Sequence, residues 1–357
     1  MKIAVIQRFL PSRSRGGAGY FADGLCRALA KRGHQVTAFS HDPAPQGAPY
    51  EAVVLPVAEG VKKFKLQPLV FPFQLARQDF SSFDIIHAQG DDQFIPRRHR
   101  PPVVRTIHAS SLSDAVHNGL SFRNPKRFLM YLYLYFWEVV SALRADAVTA
   151  VSEEVSRHYP RVDAAIPNGI DVSFFSRPSQ KTKHPTILFV GDLYTRKRGW
   201  LVAKVFQEEI RPQIPEAELW LVSPEEAKGE GVRWLGYLLP PELAKVYPQA
   251  WVFCLPSSSE GFGRPYVEAM AAGTPVVASP NPGAKDILRD GEYGFTASDE
   301  KLGETLRHLL RHEEIRQEYI KRGLERAKVY DWQHVVKQYE SIYERLSEKR
   351  NPAAKSL

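Results

Sequence analysis

The chain has 357 residues, 43% hydrophobic and 25% charged, which suits a soluble globular protein with room for two domains. Its two cysteines, Cys26 and Cys254, exclude a disulfide framework and a short-spaced metal motif, and fit a reducing compartment. Of the formal charge of +8, residues 1–165 carry most: 21 Lys+Arg against 14 Asp+Glu, or 21 − 14 = +7. No helix-turn-helix, zinc or RNA-binding motif accompanies that excess, so nucleic acid is not the expected partner; anionic lipid or a phosphorylated acceptor is.

The opening MKIAVIQRF reads as a buried strand, Lys2–Gln7, with an apolar run too short for a signal peptide. SRSRGGAGYFADGLCRALAKRGH follows, and predicts a helix over Gly19–Arg32. Gly16 and Gly17 let backbone amides approach an anion above the strand end. Gln35–Ser40, Asp84–Ala88 and Val103–Ile107 are further strands. Asp91 and Asp92 follow one of them and invite a metal reading or an acceptor contact. His108 closes another. Lysines and arginines cluster at 62–65, 97–100 and 123–127.

Phe128–Leu143 is the most apolar stretch, but Glu138 interrupts it and it falls short of the roughly 20 apolar residues of a spanning helix. Its apolar residues lie nearly all round, which predicts burial between protein elements; a membrane-facing helix is the alternative.

A polar, turn-rich segment, Ile166–His184, marks a domain boundary. Thr186–Val190, Glu218–Val222, Trp251–Leu255 and Pro275–Ala278 form a second strand series, with helices at Leu201–Glu209 and Glu300–Arg311. Strand and helix alternate in both halves, so each is a parallel sheet with helices on its faces. The domains expected are 1–168 with a returning helix 332–347, then 169–331, with 348–357 as a frayed tail.

Four loops of the second half attract attention. Lys197, flanked by Arg196 and Arg198, lies in GDLYTRKRG, directly after a strand. Gly236 and Tyr237 form a turn after Trp234. The third loop opens SSSEGFGRPYVEAMAAGTPVVA, residues 257–278, where Glu260 and Glu268 stand eight positions apart. There Pro265 suits the first helical position, and Gly273 with Pro275 the stop. The amides of Phe262, Gly263 and Arg264 would then face outward as an anion site with an acid on each side. The fourth, WLVS at Trp220–Ser223, lacks glycine.

The glycines, proline, helix and following apolar strand of 257–278, in that order, resemble the Glu-x7-Glu motif of the retaining family 4 glycosyltransferases. The resemblance covers essentially the whole chain, most strongly 186–290 and least 41–80. PNGID resembles that family's interdomain segment. It implies an α/β GT-B fold: two doubly wound Rossmann-like domains facing a central cleft, the first for the acceptor and the second for a nucleotide-sugar donor. It also implies roles. Glu268 would bind ribose hydroxyls. Glu260 and the amides of Phe262, Gly263 and Arg264 would hold the sugar. Lys197, with Arg196 or Arg198, and the Gly16-Gly17 loop would stabilise the departing diphosphate. His108 would lie beside the donor sugar, and Gly236 and Tyr237 beside the nucleobase.

The chain departs from the family where Asp192 replaces the usual Arg; Asp192 is expected to turn away or pair with a cation. Neither cofactor nor metal is expected. The reading is a retaining, metal-independent hexosyltransferase of cell-envelope or polysaccharide biosynthesis. It would be cytoplasmic, with peripheral contact to the inner membrane face and a glycan, lipid-linked or small-molecule acceptor. UDP and GDP donors both stay open. The alternatives are a GT-B sugar-nucleotide epimerase and a non-catalytic membrane- or polyanion-binding scaffold.

Overall fold

The computed structural model describes residues 1–11, 17–63, 66–112, 125–176 and 179–350. They divide into two units. One is Met1–Gly169 with the chain from Trp332 onward; the other is Ile170–Asp331. Gly16, Lys65 and Arg123 lie outside the described residues.

In the first unit, β1 (Lys2–Ile6), β2 (Gln35–Ser40), β3 (Glu51–Val54), β4 (Ile85–Ala88), β5 (Val103–Ile107), β6 (Ala147–Ala150) and β7 (Ala164–Ala165) form one parallel sheet in the order 3-2-1-4-5-6-7. In the second, β8 (Thr186–Val190), β9 (Glu218–Val222), β10 (Val232–Gly236), β11 (Val252–Leu255), β12 (Val276–Ala278) and β13 (Phe295–Thr296) follow the order 10-9-8-11-12-13. Both orders are doubly wound. The strand order reverses between β1 and β4, and again between β8 and β11, so ligands belong outside the carboxyl ends of those strands. The strands are apolar runs because both faces are covered.

The first helix, Gly17–Lys31, buries Phe21, Ala22, Leu25, Cys26 and Leu29 along one stripe. The last helix, Trp332–Arg350, packs Val335, Val336, Tyr339, Ile342, Tyr343 and Leu346 into the same core. Trp332 explains two glycines. A β-carbon would stand 2.5 Å from its ring at Gly24 and 2.3 Å from it at Gly169, so only glycine admits the indole at either place. The helix runs through Arg350, so Glu348–Arg350 are helical and not frayed as expected.

Inside this core His87, on β4, is fully buried between the hydroxyls of Tyr343 and Thr106, the latter 2.7 Å from Nε2. Burial pushes its pKa down to about 3, so the ring is neutral and serves as a polar peg in the core.

Two expectations need correction here. The Pro125–Arg144 helix is not enclosed: Leu129, Phe136 and Leu143 are 64%, 58% and 55% exposed. Among the helix residues whose burial is described, the small Ser141 and Ala142 are buried, while Leu129, Met130, Tyr133, Phe136 and Leu143 turn outward. The expected Leu201–Glu209 helix starts earlier, at Gly199, and widens after Val205 into a π-helical turn, Phe206–Ile210, that buries Phe206 and Ile210.

Candidate functional site

Three loops of the second unit follow strand ends and carry the predicted residues. After β8 the chain passes Gly191 and reaches Lys197. The lysine stem lies across Gly191, where a β-carbon would stand 2.3 Å from Cδ. Glycine at 191 thus gives the stem its bed. Among the described residues no partner holds the Lys197 ammonium, which leaves its charge available to an anion.

Its neighbours are committed. Arg196 pairs with Glu260 Oε1 at 2.8 Å and donates to the Ser259 carbonyl. Arg198 sits at φ +54°, donates to Pro256 O at 2.7 Å and Ser279 Oγ at 2.8 Å, and pairs with Asp299 at 2.7 Å. Its guanidinium ties the loops together. Asp192 accepts from the Thr195 hydroxyl at 3.5 Å and pairs with no cation among the described residues. Of the two expectations for Asp192, turning away or pairing with a cation, the ion pair is not found among the described residues.

After β11 comes the acid-flanked turn. Glu260 is 6% exposed, and its Oε1 also accepts from Ser257 Oγ at 3.0 Å. Asn281 supports the turn from behind: its amide donates to Ser257 O and Ser279 O, each at 3.0 Å. Gly283 fits under the turn because a β-carbon there would meet the Phe262 carbonyl at 2.6 Å. Gly263 takes φ +93° and caps the Arg264–Ala271 helix, so Arg264 is the first helical residue and Pro265 the second, one place later than expected. Phe262 is buried, its ring 5.5 Å from that of Tyr330. Its side chain is core, while its backbone belongs to the turn.

Glu268 is 7% exposed, one turn into the helix. Arg264 Nε donates to its Oε1 at 2.6 Å, and the Tyr247 hydroxyl to Oε2 at 3.2 Å. The two donors hold the carboxylate in one rotamer. Tyr247 is fully buried, and burial with the neighbouring carboxylate raises its pKa, so it remains a donor. Sequence reasoning missed Tyr247, which lies 21 residues before its partner. At the end of β10, Gly236 takes φ +71° and Tyr237 is 48% exposed.

In the first unit a second constellation lies beyond β1, β4 and β5, around a cavity of about 340 Å³. Gly17 heads the first helix nearby in sequence. His108 lines the cavity, with Nε2 2.8 Å from Gln89 Oε1. Burial, reinforced by the charge of Arg105, pushes its pKa down to about 4. The neutral ring that donates to Gln89 keeps a lone pair on Nδ1. Asp91 pairs with Arg8, and Asp92 with Arg105. Both acids are thus held by arginines, and among the described residues no group of three metal-ligating side chains occurs. Sequence reasoning missed Glu138, Trp137 and Gln89 on the cavity wall. Glu138, read as an interruption of an apolar run, accepts from Ser111 Oγ at 2.5 Å and from the Tyr159 hydroxyl at 2.7 Å.

Comparison with known proteins agrees with this layout. Residues 15–174 match the model described as Glycosyltransferase Family 4, and residues 184–312 the model described as Glycosyl transferases group 1. The phosphatidyl-myo-inositol mannosyltransferase of Mycobacterium tuberculosis (strain H37Rv) is 30% identical over 271 residues, 68% of this chain and 67% of that one. Among solved structures, sucrose-phosphate synthase from Thermosynechococcus elongatus superposes with a TM-score of 0.75 at 20% identity, covering 97% of this chain and 98% of the other. Anabaena HepE, solved with UDP-glucose, gives 0.71 at 16% identity, covering 97% and 100%. Both show the GT-B fold in which this chain's two sheets are built.

Proposed function

Because the chain belongs to the family 4 glycosyltransferases, we propose that it moves a hexosyl group from a nucleoside-diphosphate sugar to a hydroxyl acceptor, with retention and without a metal. The single observation that carries the site assignment is the ligand-ready Lys197 ammonium beside a turn whose two acids are held in place.

In this reading the second unit holds the donor. Glu268, fixed by Arg264 and Tyr247, accepts from the ribose hydroxyls. Glu260, fixed by Ser257 and Arg196, accepts from hydroxyls of the sugar. The amides of Phe262, Gly263 and Arg264 face the sugar and phosphate, and the backbone at Gly236 and Tyr237 faces the nucleobase. As the glycosidic bond breaks, negative charge grows on the diphosphate. A fixed cation at that point lowers the barrier, and Lys197 supplies it.

Arg196 adds its charge only by sharing it with Glu260. His108, neutral above pH 4, can offer a hydrogen-bonding nitrogen but not a cation. Attack from the leaving-group face is the reading that fits a site of amides and a cation.

The acceptor then belongs to the first unit. Relatives named for phosphatidyl-myo-inositol support an acceptor in cell-envelope or polysaccharide synthesis, and the Anabaena protein solved with UDP-glucose supports a nucleotide sugar as donor. Among the described residues no helix is long and apolar enough to cross a membrane. The outward Leu129, Met130, Tyr133, Phe136 and Leu143 of one helix, in a half of the chain with a +7 excess (21 − 14), favour peripheral contact with an anionic bilayer at the cytoplasmic face.

The test is a panel of nucleotide sugars. A true donor raises the melting temperature and is slowly hydrolysed to the nucleoside diphosphate without acceptor, and EDTA leaves that rate unchanged. A rate abolished by EDTA and restored by a divalent ion would overturn the metal-free part. Stabilisation by no nucleotide sugar would overturn the whole.

A further inference from the structure

The Pro125–Arg144 and Trp332–Arg350 helices both end at a hollow of about 630 Å³ in the first unit. The segment that leads into β5 closes it from the other side. The hollow lies at the amino ends of β5 and β6, because Pro102 immediately precedes β5 and Asp146 immediately precedes β6. The cavity that holds His108 lies at the opposite end of β5, so roughly 20 Å of strand separates the two.

The hollow is strongly basic. Arg97, Arg100, Arg144, Lys349 and Arg350 line it against the single carboxylate of Asp146, a balance of 5 − 1 = +4. Basic residues at helix ends ordinarily answer the helix dipole. Two helix carboxyl ends bring about −0.5 each, so about +3 is left over. The cations also divide into used and unused. Arg100 donates to Asp146 Oδ2 at 2.7 Å, to the Pro101 carbonyl at 3.0 Å and to the Arg144 carbonyl at 3.2 Å, which caps the first of the two helices. Arg144 donates to the Ile95 carbonyl at 3.3 Å. Asp146 is spent as well, since the same oxygen accepts from Val103 N at 2.8 Å. Among the described residues, Arg97, Lys349 and Arg350 have no hydrogen-bond or ion-pair partner.

Three unspent cations in one concavity, with the only acid already paired, make a field that draws an anion. A carboxylate brings one charge and two oxygens. A phosphate brings up to two charges and at least three acceptor oxygens, and guanidinium forks such as those of Arg97 and Arg350 fit it bidentately. Pro101, Pro102 and the buried Leu346 add apolar surface, and Leu143, 55% exposed, forms part of the rim. An organic group attached to the phosphate therefore has a surface to lie on.

We propose that this hollow binds a phosphate monoester or diphosphate, on a part of the first unit that holds none of the residues assigned to transfer. The group is the same whether it comes free in solution or as the head of a lipid. The proposal does not rest on the transferase reading.

The experiment titrates the full chain with inorganic phosphate, pyrophosphate and acetate at matched ionic strength, and with vesicles of phosphatidic acid in phosphatidylcholine. It compares the wild type, Lys197→Ala and the triple variant Arg97→Gln, Lys349→Gln, Arg350→Gln. The three replaced side chains are exposed, so the variant is expected to fold, and an unchanged melting temperature and unchanged nucleotide-sugar hydrolysis check this. Phosphate or pyrophosphate should bind the wild type and Lys197→Ala alike and bind the triple variant at least roughly tenfold more weakly, as loss of charge-assisted hydrogen bonds implies. Vesicle binding without soluble-anion binding, lost in the triple variant, assigns the hollow to a lipid head. Acetate bound as tightly as phosphate, equal affinity in wild type and triple variant, loss of binding in Lys197→Ala alone, or no binding of any phosphate probe would overturn the proposal.

Discussion

The two sites of this chain are built in opposite ways. The candidate donor site of the second unit draws on two loops: Lys197 on one, and Glu260, Gly263, Arg264 and Glu268 within nine positions of each other on the other. Their geometry is set by local backbone chemistry, a left-handed Gly263 and a helix that starts on cue. The cavity of the first unit is assembled from widely separated stretches, among them those around Arg8, Gln89, His108 and Trp137. The first kind of site can be copied as a motif. The second exists only once the sheet order has placed distant strand ends together.

That contrast can be broken by mutation. The largest effect is expected at Lys197→Ala, with kcat lower by about 10²–10³-fold and little change in melting temperature, since removing one preorganised charge from a developing oxyanion costs that much. Steady-state kinetics at saturating donor check it. Next is Gly191→Ala, which leaves the cation in the sequence but takes its bed: the new β-carbon would stand 2.3 Å from the lysine stem. A loss of up to about 10²-fold in kcat is expected from that misplacement. Unchanged turnover in Gly191→Ala would show that Lys197 is not held where it acts.

A third substitution, Gly169→Ala, tests the first unit. Its β-carbon would meet the Trp332 ring at 2.3 Å, and overpacking of this kind costs about 1–3 kcal/mol, read as a lower midpoint in denaturant. The smallest effect concerns pH. His108 has its folded pKa lowered to about 4 and His87 to about 3, below the ordinary value of 6.5. The unfolded chain therefore binds more protons than the native one below pH 6.5, and stability falls as pH drops from 6.5 towards 4. His108→Gln should flatten that slope in thermal melts, while a slope unchanged in the variant would mean His108 is not neutral in the fold. Activity should show no ionisation of His108 between pH 5.5 and 8.

Much of the frame was legible. β2, β5, β8 and β9 begin and end where the apolar runs and turn residues place them, because a strand covered on both faces must be apolar throughout. The acid-flanked turn was legible for a similar reason: glycine and proline report backbone needs directly. What sequence hides is partnership. Nothing near Tyr247 points to Glu268, and nothing near Glu138 points to Ser111 and Tyr159. Arg196, Lys197 and Arg198 look alike in the sequence, yet one pairs with Glu260, one stays free and one binds three loop groups. The outward face of Pro125–Arg144 was misread because an apolar helix signals a need for cover without saying what provides it.

The account turns on the two loops beyond β8 and β11 acting as one donor site. Release of nucleoside diphosphate from a stabilising nucleotide sugar, at subsaturating donor, measures this directly in wild type, Lys197→Ala and Glu268→Gln. Both variants should fold and lose at least about 10²-fold in kcat/KM. Wild-type rates in both would contradict the assignment.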